Sequence, residues 1–330
     1  MAVVFTDGCT HYQTADMLYK WYSSSGTIVA TNPRRSGSKS IYGNYGIVTK
    51  QLPAIGANTH VGCAMRLNSY NYSYIGFSTA GGNFNLSVAF NSDMSISVRR
   101  GTYYGGTILQ TSPINVYRYN EWFYLEFGGF IDASAGTYDA RINGTSIISN
   151  YVGVNTYGSG TAANLYVTFS AYSQMTDFYI DDAAFHGDCF VATLPIVGAG
   201  TYAQFTATGD TDNWKCADDP GAIDNDTTYN ASNTVNQIDT FALQDIPSIA
   251  GSAIHAVALN ATWRKDDPGT RKVTPLYRMN GVNYLGTEVN MFDNYHQTQE
   301  IYETRPDGGG AWVEADLKYP AFEPGYKLTV

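Results

Sequence analysis

Chemistry in this sequence would have to come from its carboxylates, its histidines or its tyrosine-rich loops. The densest acidic stretch places Asp210, Asp212, Asp218, Asp219, Asp224 and Asp226 within seventeen residues. Calcium takes about six to eight oxygen ligands, so these six aspartates form the candidate calcium site. Asp210-x-Asp212-x-Trp214 and Asp224-x-Asp226-x-Thr228 both lack the next acidic ligand and the glycine of an EF-hand. A solvated loop built on Asx turns is the competing expectation. Glycoside hydrolysis needs two carboxyl groups flanking the bond, about 5–5.5 Å apart for retention or about 6.5–9.5 Å for inversion. The first 194 residues hold only two glutamates, Glu121 and Glu126. Five residues apart on a strand, they point to opposite faces, as do the adjacent Asp181 and Asp182. No glycosidase is therefore expected, and Asp181 or Asp182 should hydrogen-bond a neighbouring loop. The five histidines are accompanied by no G-x-S-x-G elbow, and His11 in Cys9-Thr10-His11-Tyr12 reads as a structural hydrogen-bonding group.

Sugars are bound by aromatic faces set against C–H surfaces, with planar polar groups beside them. Three loops offer that vocabulary: residues 68–74 with Tyr70, Tyr72 and Tyr74, residues 101–106 with Tyr103 and Tyr104, and residues 151–161 with Tyr157. Tyr, Ser, Gly and Asn also make adaptable protein-binding loops. If residues 70–74 form a strand, their three tyrosines share one face, which suits a platform or packing with the hydroxyls at a rim.

Such loops need strands to carry them. The chain has 330 residues, 15% charged, with 33 Gly and 27 Tyr and a net charge of −10. Tyr, Thr, Val and Phe suit a pleated, half-buried surface, and the acidic balance disfavours nucleic acid as a partner. Val61, Cys63, Met65 and Leu67 alternate with small or polar residues, as do Phe84, Leu86, Val88 and Phe90. Across a turn at Asn91-Ser92-Asp93, Met94, Ile96 and Val98 continue the pattern, which predicts a hairpin with one apolar face. Residues 122–127 and 138–142 read as strands, and Asn143-Gly144 as a tight hairpin turn before 145–148. Leu165, Val167 and Phe169, then Phe178, Ile180 and Asp182, predict further strands. Many short strands with regular turn signals point to a sandwich or jelly roll. The single helical expectation is residues 14–21, with Ala15, Leu18 and Trp21 as a stripe.

Residues 1–194 carry 10 basic and 11 acidic residues and 19 tyrosines; residues 195–330 carry 9 basic and 18 acidic residues and 8 tyrosines. Surfaces so different suggest separate cores, joined near Pro195. The second segment opens with an Asp/Gly/Asn-rich loop over 209–233. Strands are expected at 240–243 and 254–264, a hairpin at 274–283 around Asn280-Gly281, and apolar runs at 301–303 and 326–330. Cys9, Cys63, Cys189 and Cys216 form no C-x-x-C pair and are expected to be small buried hydrophobes. No stretch reaches the roughly 18 apolar residues of a helical membrane span, and the N-terminal residues do not read as a signal peptide.

The order of certain motifs is familiar. Asp7, His11-Tyr12 and Trp21 come first, then Glu121-Trp122-Phe123-Tyr124-Leu125-Glu126, Gly136 to Gly144, Asp177-Phe178-Tyr179-Ile180-Asp181-Asp182 and Gly187-Asp188. Together they resemble the concanavalin A-like or laminin G-like jelly rolls of phage structural proteins. Asp218-Asp219-Pro220, Asp224 to Tyr229, Asp239-Thr240-Phe241, Arg264 to Asp267 and Gly310 to Leu317 are similar to a module that accompanies the jelly roll in tailed-phage virion proteins. The resemblance implies an all-β chain: a concanavalin A-like jelly-roll sandwich over 1–194, then a smaller β-domain over 195–330. It further implies a non-enzymatic virion structural protein of the tail, fibre or capsid surface, made in the host cytoplasm. Its partners would be other virion proteins and copies of itself, with no membrane insertion. The alternative is a host-surface carbohydrate-binding adhesin using the tyrosine loops, and a polysaccharide-degrading enzyme ranks third.

Overall fold

The computed structural model describes the chain apart from residues 1–2, 31–33, 36–37, 53–57, 72, 80–81, 159–165, 220, 247–248 and 250, and the side chains of 44, 45 and 173. Tyr72 and Leu165 therefore lie outside the described residues. Two compact units follow one another, Met1–Val191 and Ala192–Val330.

The first unit contains β1 (Val3–Asp7), β2 (Ser23–Ala30), β3 (Ser40–Gln51), β4 (Asn58–Leu67), β5 (Tyr74–Ser78) and β6 (Phe84–Phe90). It continues with β7 (Ile96–Arg100), β8 (Thr107–Thr111), β9 (Trp122–Phe130), β10 (Gly136–Ile142), β11 (Thr145–Val154) and β12 (Tyr166–Asp181). Its strand pairings are antiparallel, in the order β11-β10-β9-β4-β12-β5-β6-β7-β8, with β1 and β3 also on β12 and β2 on β3. The separate strands expected around Val167 and Phe178 are one sixteen-residue strand. The first part of β12, Tyr166–Ser170, lies between β3 and β5. Its later part, Ser173–Asp181, pairs with β4 on one side. On the other side β1 joins it, with Val3 opposite Asp181 and Asp7 opposite Phe178.

Strand β12 is thus shared by two layers, one running through β4, β9, β10 and β11 and the other through β5, β6, β7 and β8. The layers face each other: Phe77 of β5 stacks on Phe127 of β9 at 4.9 Å, and Phe90 of β6 meets Phe123 of β9 at 5.9 Å. Alternate residues of each layer, among them Leu86, Val88, Val98, Leu125, Val167 and Phe169, fill the space between. Each such side chain stabilises the fold by about 1.5–3 kcal/mol relative to exposure. The architecture is an all-β jelly-roll sandwich. The Asn143-Gly144 turn has both residues at positive φ, 50° and 79°, which matches the twist of the β10–β11 hairpin.

Two expectations are corrected by the packing. The segment 14–21 is a 3₁₀ turn, Thr14–Asp16, followed by one helical turn, Met17–Lys20. Its buried residues are Asp16, Met17, Lys20 and Trp21, whereas Ala15 and Leu18 are exposed, so the predicted stripe does not form. Phe84 does not share the core face of Leu86 and Val88. Register slips by one residue between Phe77/Leu86 and Ser78/Phe84, and a one-residue slip turns a side chain to the other face of the sheet.

The opening motif converges on Asp7, whose carboxylate is fully buried. It accepts hydrogen bonds from the Cys9 amide (2.8 Å), the Tyr12 hydroxyl (2.7 Å) and the Trp21 indole (2.8 Å), and pairs with Lys20 at 3.4 Å. Burial pushes its pKa up, but Lys20, His11, the Tyr12 hydroxyl and the Cys9 amide outweigh it and hold the carboxyl below its ordinary value.

The second unit contains β13 (Ile196–Ala203), β14 (Thr206–Thr208), β15 (Tyr229–Ala231), β16 (Ile238–Leu243) and β17 (Val257–Trp263). Then come β18 (Lys272–Met279), β19 (Val282–Leu285), β20 (Val289–Asn290), β21 (His296–Tyr302) and β22 (Phe322–Leu328). Its main sheet runs β13-β16-β22-β18-β19, beside the pairs β14-β15 and β17-β21. Tyr277, Met279, Trp312, Leu317 and Phe322 form its core.

Candidate functional site

The outer face of the second layer carries the aromatic loops. Residues opposite the core side chains make a cross-strand row Thr49–Thr168–Gly76–Ser87–Arg99. This row is low because its middle is small, and aromatic rings occupy the height above it. A Cβ on Gly76 would lie 2.3 Å from the Phe84 ring, so the glycine is what lets Phe84 lie across β5. Tyr74 meets Phe84 edge-on at 5.9 Å and stacks flat on Tyr103 at 3.6 Å with 5° between the planes. Tyr103 comes from the turn joining β7 to β8. Beyond it Tyr104 stands 82% exposed at the tip, 6.4 Å from the Tyr103 ring. The Arg99 guanidinium donates to the Gly106 carbonyl at 3.3 Å, and its Nε has no hydrogen-bond partner among the described residues. Aromatic surface, small hydroxyls and a planar cation are thereby brought together.

The sequence-derived tyrosines divide accordingly. Tyr103 and Tyr104 sit in this cluster, with Tyr74 beneath them. Tyr74 is only 4% exposed, and burial pushes its hydroxyl pKa upward. Tyr74 opens β5, whereas Tyr70 is exposed in a bend that precedes it, so the shared face expected for Tyr70 and Tyr74 is absent. The third member of that set, Tyr72, lies outside the described residues. Tyr157 is half-buried and packs against the sandwich core. The sequence pattern puts Phe84 on the core face and gives Arg99 no role in a site; a register slip and a strand neighbour place them here.

The six aspartates of 209–233 are not gathered into one site. Lys215 pairs with Asp212 at 2.8 Å and Asp210 at 3.6 Å, Asp224 accepts from the Thr228 hydroxyl at 2.7 Å, and Asp226 pairs with Arg264 at 2.7 Å. Burial raises the pKa of Asp218, and Asp219 flanks it. Among the described residues no group of three or more His, Cys, Asp or Glu is placed to hold a metal ion. Lys215, in the 3₁₀ turn Asn213–Cys216, draws Asp210 and Asp212 to itself, and Arg264 takes Asp226.

A second polar constellation covers the outer face of the first layer. Its rows are Asp181–His60–Gly128–Asp139 and Tyr179–Gly62–Glu126–Arg141. Glu126 Oε1 accepts from the Tyr179 hydroxyl (2.5 Å) and the amides of His186 (3.0 Å) and Gly187 (2.7 Å). Asp181 accepts from the amides of Ala183 and Ala184 and meets His186 Nε2 at 2.9 Å. Burial raises its pKa, but His186 and those amides outweigh that and lower it. Asp139 accepts from the Ser146 and Tyr151 hydroxyls and pairs with Arg141. Segment 183–188 is therefore strapped across the sheet. Glu121, by contrast, precedes β9 and is exposed. Glu126 Oε2 and His60 Nδ1 have no hydrogen-bond partner among the described residues.

No protein-family model and no curated protein matches the chain. Among solved structures, galectin LEC-6 of Caenorhabditis elegans is similar at 12% identity and TM-score 0.29, over 41% of this chain and 89% of that one. The catalytic domain of a glycoside hydrolase family 131 protein from Coprinopsis cinerea is similar at 14% identity and TM-score 0.34, over 57% and 98%. The exoplasmic/lumenal domain of VIP36, in a calcium- and mannose-bound form, is similar at 9% identity and TM-score 0.30, over 49% and 80%.

Proposed function

We propose that the chain binds carbohydrate without transforming it, through the outer face of the second layer. The observation that carries this reading is the Tyr74–Tyr103 stack with Tyr104 exposed beyond it and Arg99 alongside. A sugar ring set on Tyr104 would gain apolar contact, while Arg99 and the loop carbonyls of 101–106 would orient its hydroxyls. Catalysis is not part of the proposal. The carboxylates Glu126, Asp139 and Asp181 are buried, and each is engaged by neighbours of the same unit. Hydrolysis needs a pair open to substrate on both sides of the bond.

A glycan array followed by calorimetry on the best binder tests the proposal. Tyr104→Ala is expected to weaken binding at least about tenfold, or about 1.4 kcal/mol, with the melting temperature unchanged because the side chain is exposed. Absence of binding to any glycan, or full affinity in the variant, sinks it.

Assembly among virion proteins, which the motif order implies, is a second proposal, and one observation favours it. Strand β11 ends the first layer, and it presents Val152 at 92% exposure beside Tyr151. Apolar edge strands invite pairing with another chain. Self-association in sedimentation velocity that disappears in Val152→Lys is the expected result; a monomer at all concentrations counts against it.

A further inference from the structure

The aromatic face of the second layer carries a positive charge with nothing to balance it. The row described above ends at Arg99, and the row beside it runs Ser170–Tyr74–Ala89–Ser97–Thr111. Across these two rows Arg99 is the single charged residue. Register fixes its side. Arg99 lies opposite Ser87, and Ser87 lies opposite Gly76, the glycine that Phe84 crosses. Arg100 lies opposite Leu86 and takes the core-facing parity instead.

The Arg99 guanidinium is held in place but not satisfied. Its Nη1 donates to the Gly106 carbonyl at 3.3 Å, which ties the cation to the turn that bears Tyr104. Among the described residues Nε is shut off from solvent with no acceptor, and Nη2 has none either. No carboxylate there lies within ion-pair distance of it, whereas Arg34 and Arg141 of the same unit each pair with an aspartate. The one carboxylate in residues 84–118 is Asp93. It precedes β7, at the far end from Arg99, and is taken up by the amide and hydroxyl of Ser95 at 3.0 and 2.6 Å. Nε and Nη2 form one edge of the guanidinium fork, the kind of edge on which a planar carboxylate makes two parallel hydrogen bonds. A buried donor without an acceptor costs stability. Turning that edge to the surface exchanges a donor that bonds nothing for two that do. We infer that the sugar residue taken by this face is a uronate, with its ring on Tyr104 and its carboxylate on the Nε–Nη2 edge of Arg99. The inference rests on the carbohydrate-binding reading and adds the charge of the residue held and the group that recognises it.

Calorimetry on the full chain tests it with tetragalacturonate and tetramannuronate, each as free acid and as methyl ester, and with a sulfated tetrasaccharide. At least one acid is expected to bind about tenfold more tightly than its own ester. Arg99→Gln should abolish that preference, and Arg99→Lys, which keeps the charge but loses the fork, should retain only part of it. Arg100→Gln removes the same charge one residue away, on the other side of the sheet, and should leave the preference intact. Tyr104→Ala should weaken acid and ester alike. Equal binding of acid and ester, a preference that survives Arg99→Gln, or one lost equally in Arg100→Gln overturns the inference. A sulfated probe that binds more tightly than either acid overturns it too. If none of these probes binds while the glycan array finds a neutral ligand, the inference falls and the carbohydrate reading stands; an empty array takes both. Should Arg99→Gln fail to fold, Arg99→Lys decides, and a preference kept there in full overturns the inference.

Discussion

At the scale of single residues, Asp7 is the group whose loss should cost most. It is the counter-ion of a lysine that is itself buried, and it is the acceptor that fixes Tyr12 and Trp21. Removing one partner of a buried pair leaves the other charge uncompensated, at about 3–5 kcal/mol. Asp7→Asn is therefore expected to lower unfolding stability by about that amount in urea titrations. Because its folded pKa lies below the unfolded value, its contribution is fully present above the unfolded carboxylate pKa, about 3.9. The contribution is lost as pH falls through the folded value. The variant should therefore lose part of the acid sensitivity of the parent below about pH 4, which melting curves at stepped pH will read. Asp7, Tyr12 and Trp21 were legible in the sequence as an ordered motif. Their convergence on one carboxylate was not, because the bonds depend on a single helical turn at Met17–Lys20 that brings Trp21 back over β1.

At the scale of elements, alternation of apolar with small or polar residues was enough to find β4 and the β6–β7 hairpin, although β4 and β6 are largely buried on both faces. It failed at Phe84, where pairing with Ser78 across a slipped register decides the face. It failed also on the outer face of the first layer. Glu126 and the His186 amide are sixty residues apart in sequence, and nothing local to either announces the other. Gly62 makes that face possible, because a Cβ there would lie 2.2 Å from the Tyr179 ring and 2.8 Å from that of Tyr124. Gly62→Ala must displace Tyr179 from Glu126. It is expected to cost about 1–3 kcal/mol, the range for overpacking, and to raise amide exchange at His186 and Gly187. Unchanged exchange there would show that Glu126 does not need Tyr179 to hold the strap.

At the scale of the molecule, each unit owns a core, the first spanning Phe5 to Ile180 and the second built around Tyr277, Trp312 and Phe322. The shift in charge and tyrosine content near residue 195 is visible in the sequence, whereas the contact pattern divides the chain after Val191. A fragment of residues 1–191 is expected to melt cooperatively and to retain the glycan affinity of the whole chain, since every residue of the tyrosine face lies within it. Loss of affinity in a folded fragment would place part of the site in residues 192–330.

The pairing of β1 with β12 has a mechanical consequence. Val3 lies opposite Asp181, so the outer ends of both strands leave the sheet at the same edge. The hydrogen bonds between them run perpendicular to the strands. Tension applied between Val3 and Asp181 therefore loads those bonds one after another, as a zipper opens, and not all at once in shear. The rupture would begin at Val3–Asp181 and travel toward Asp7, so β1 peels from β12 at low force while the pairing of β12 with β4 and the tyrosine face of the second layer are still intact.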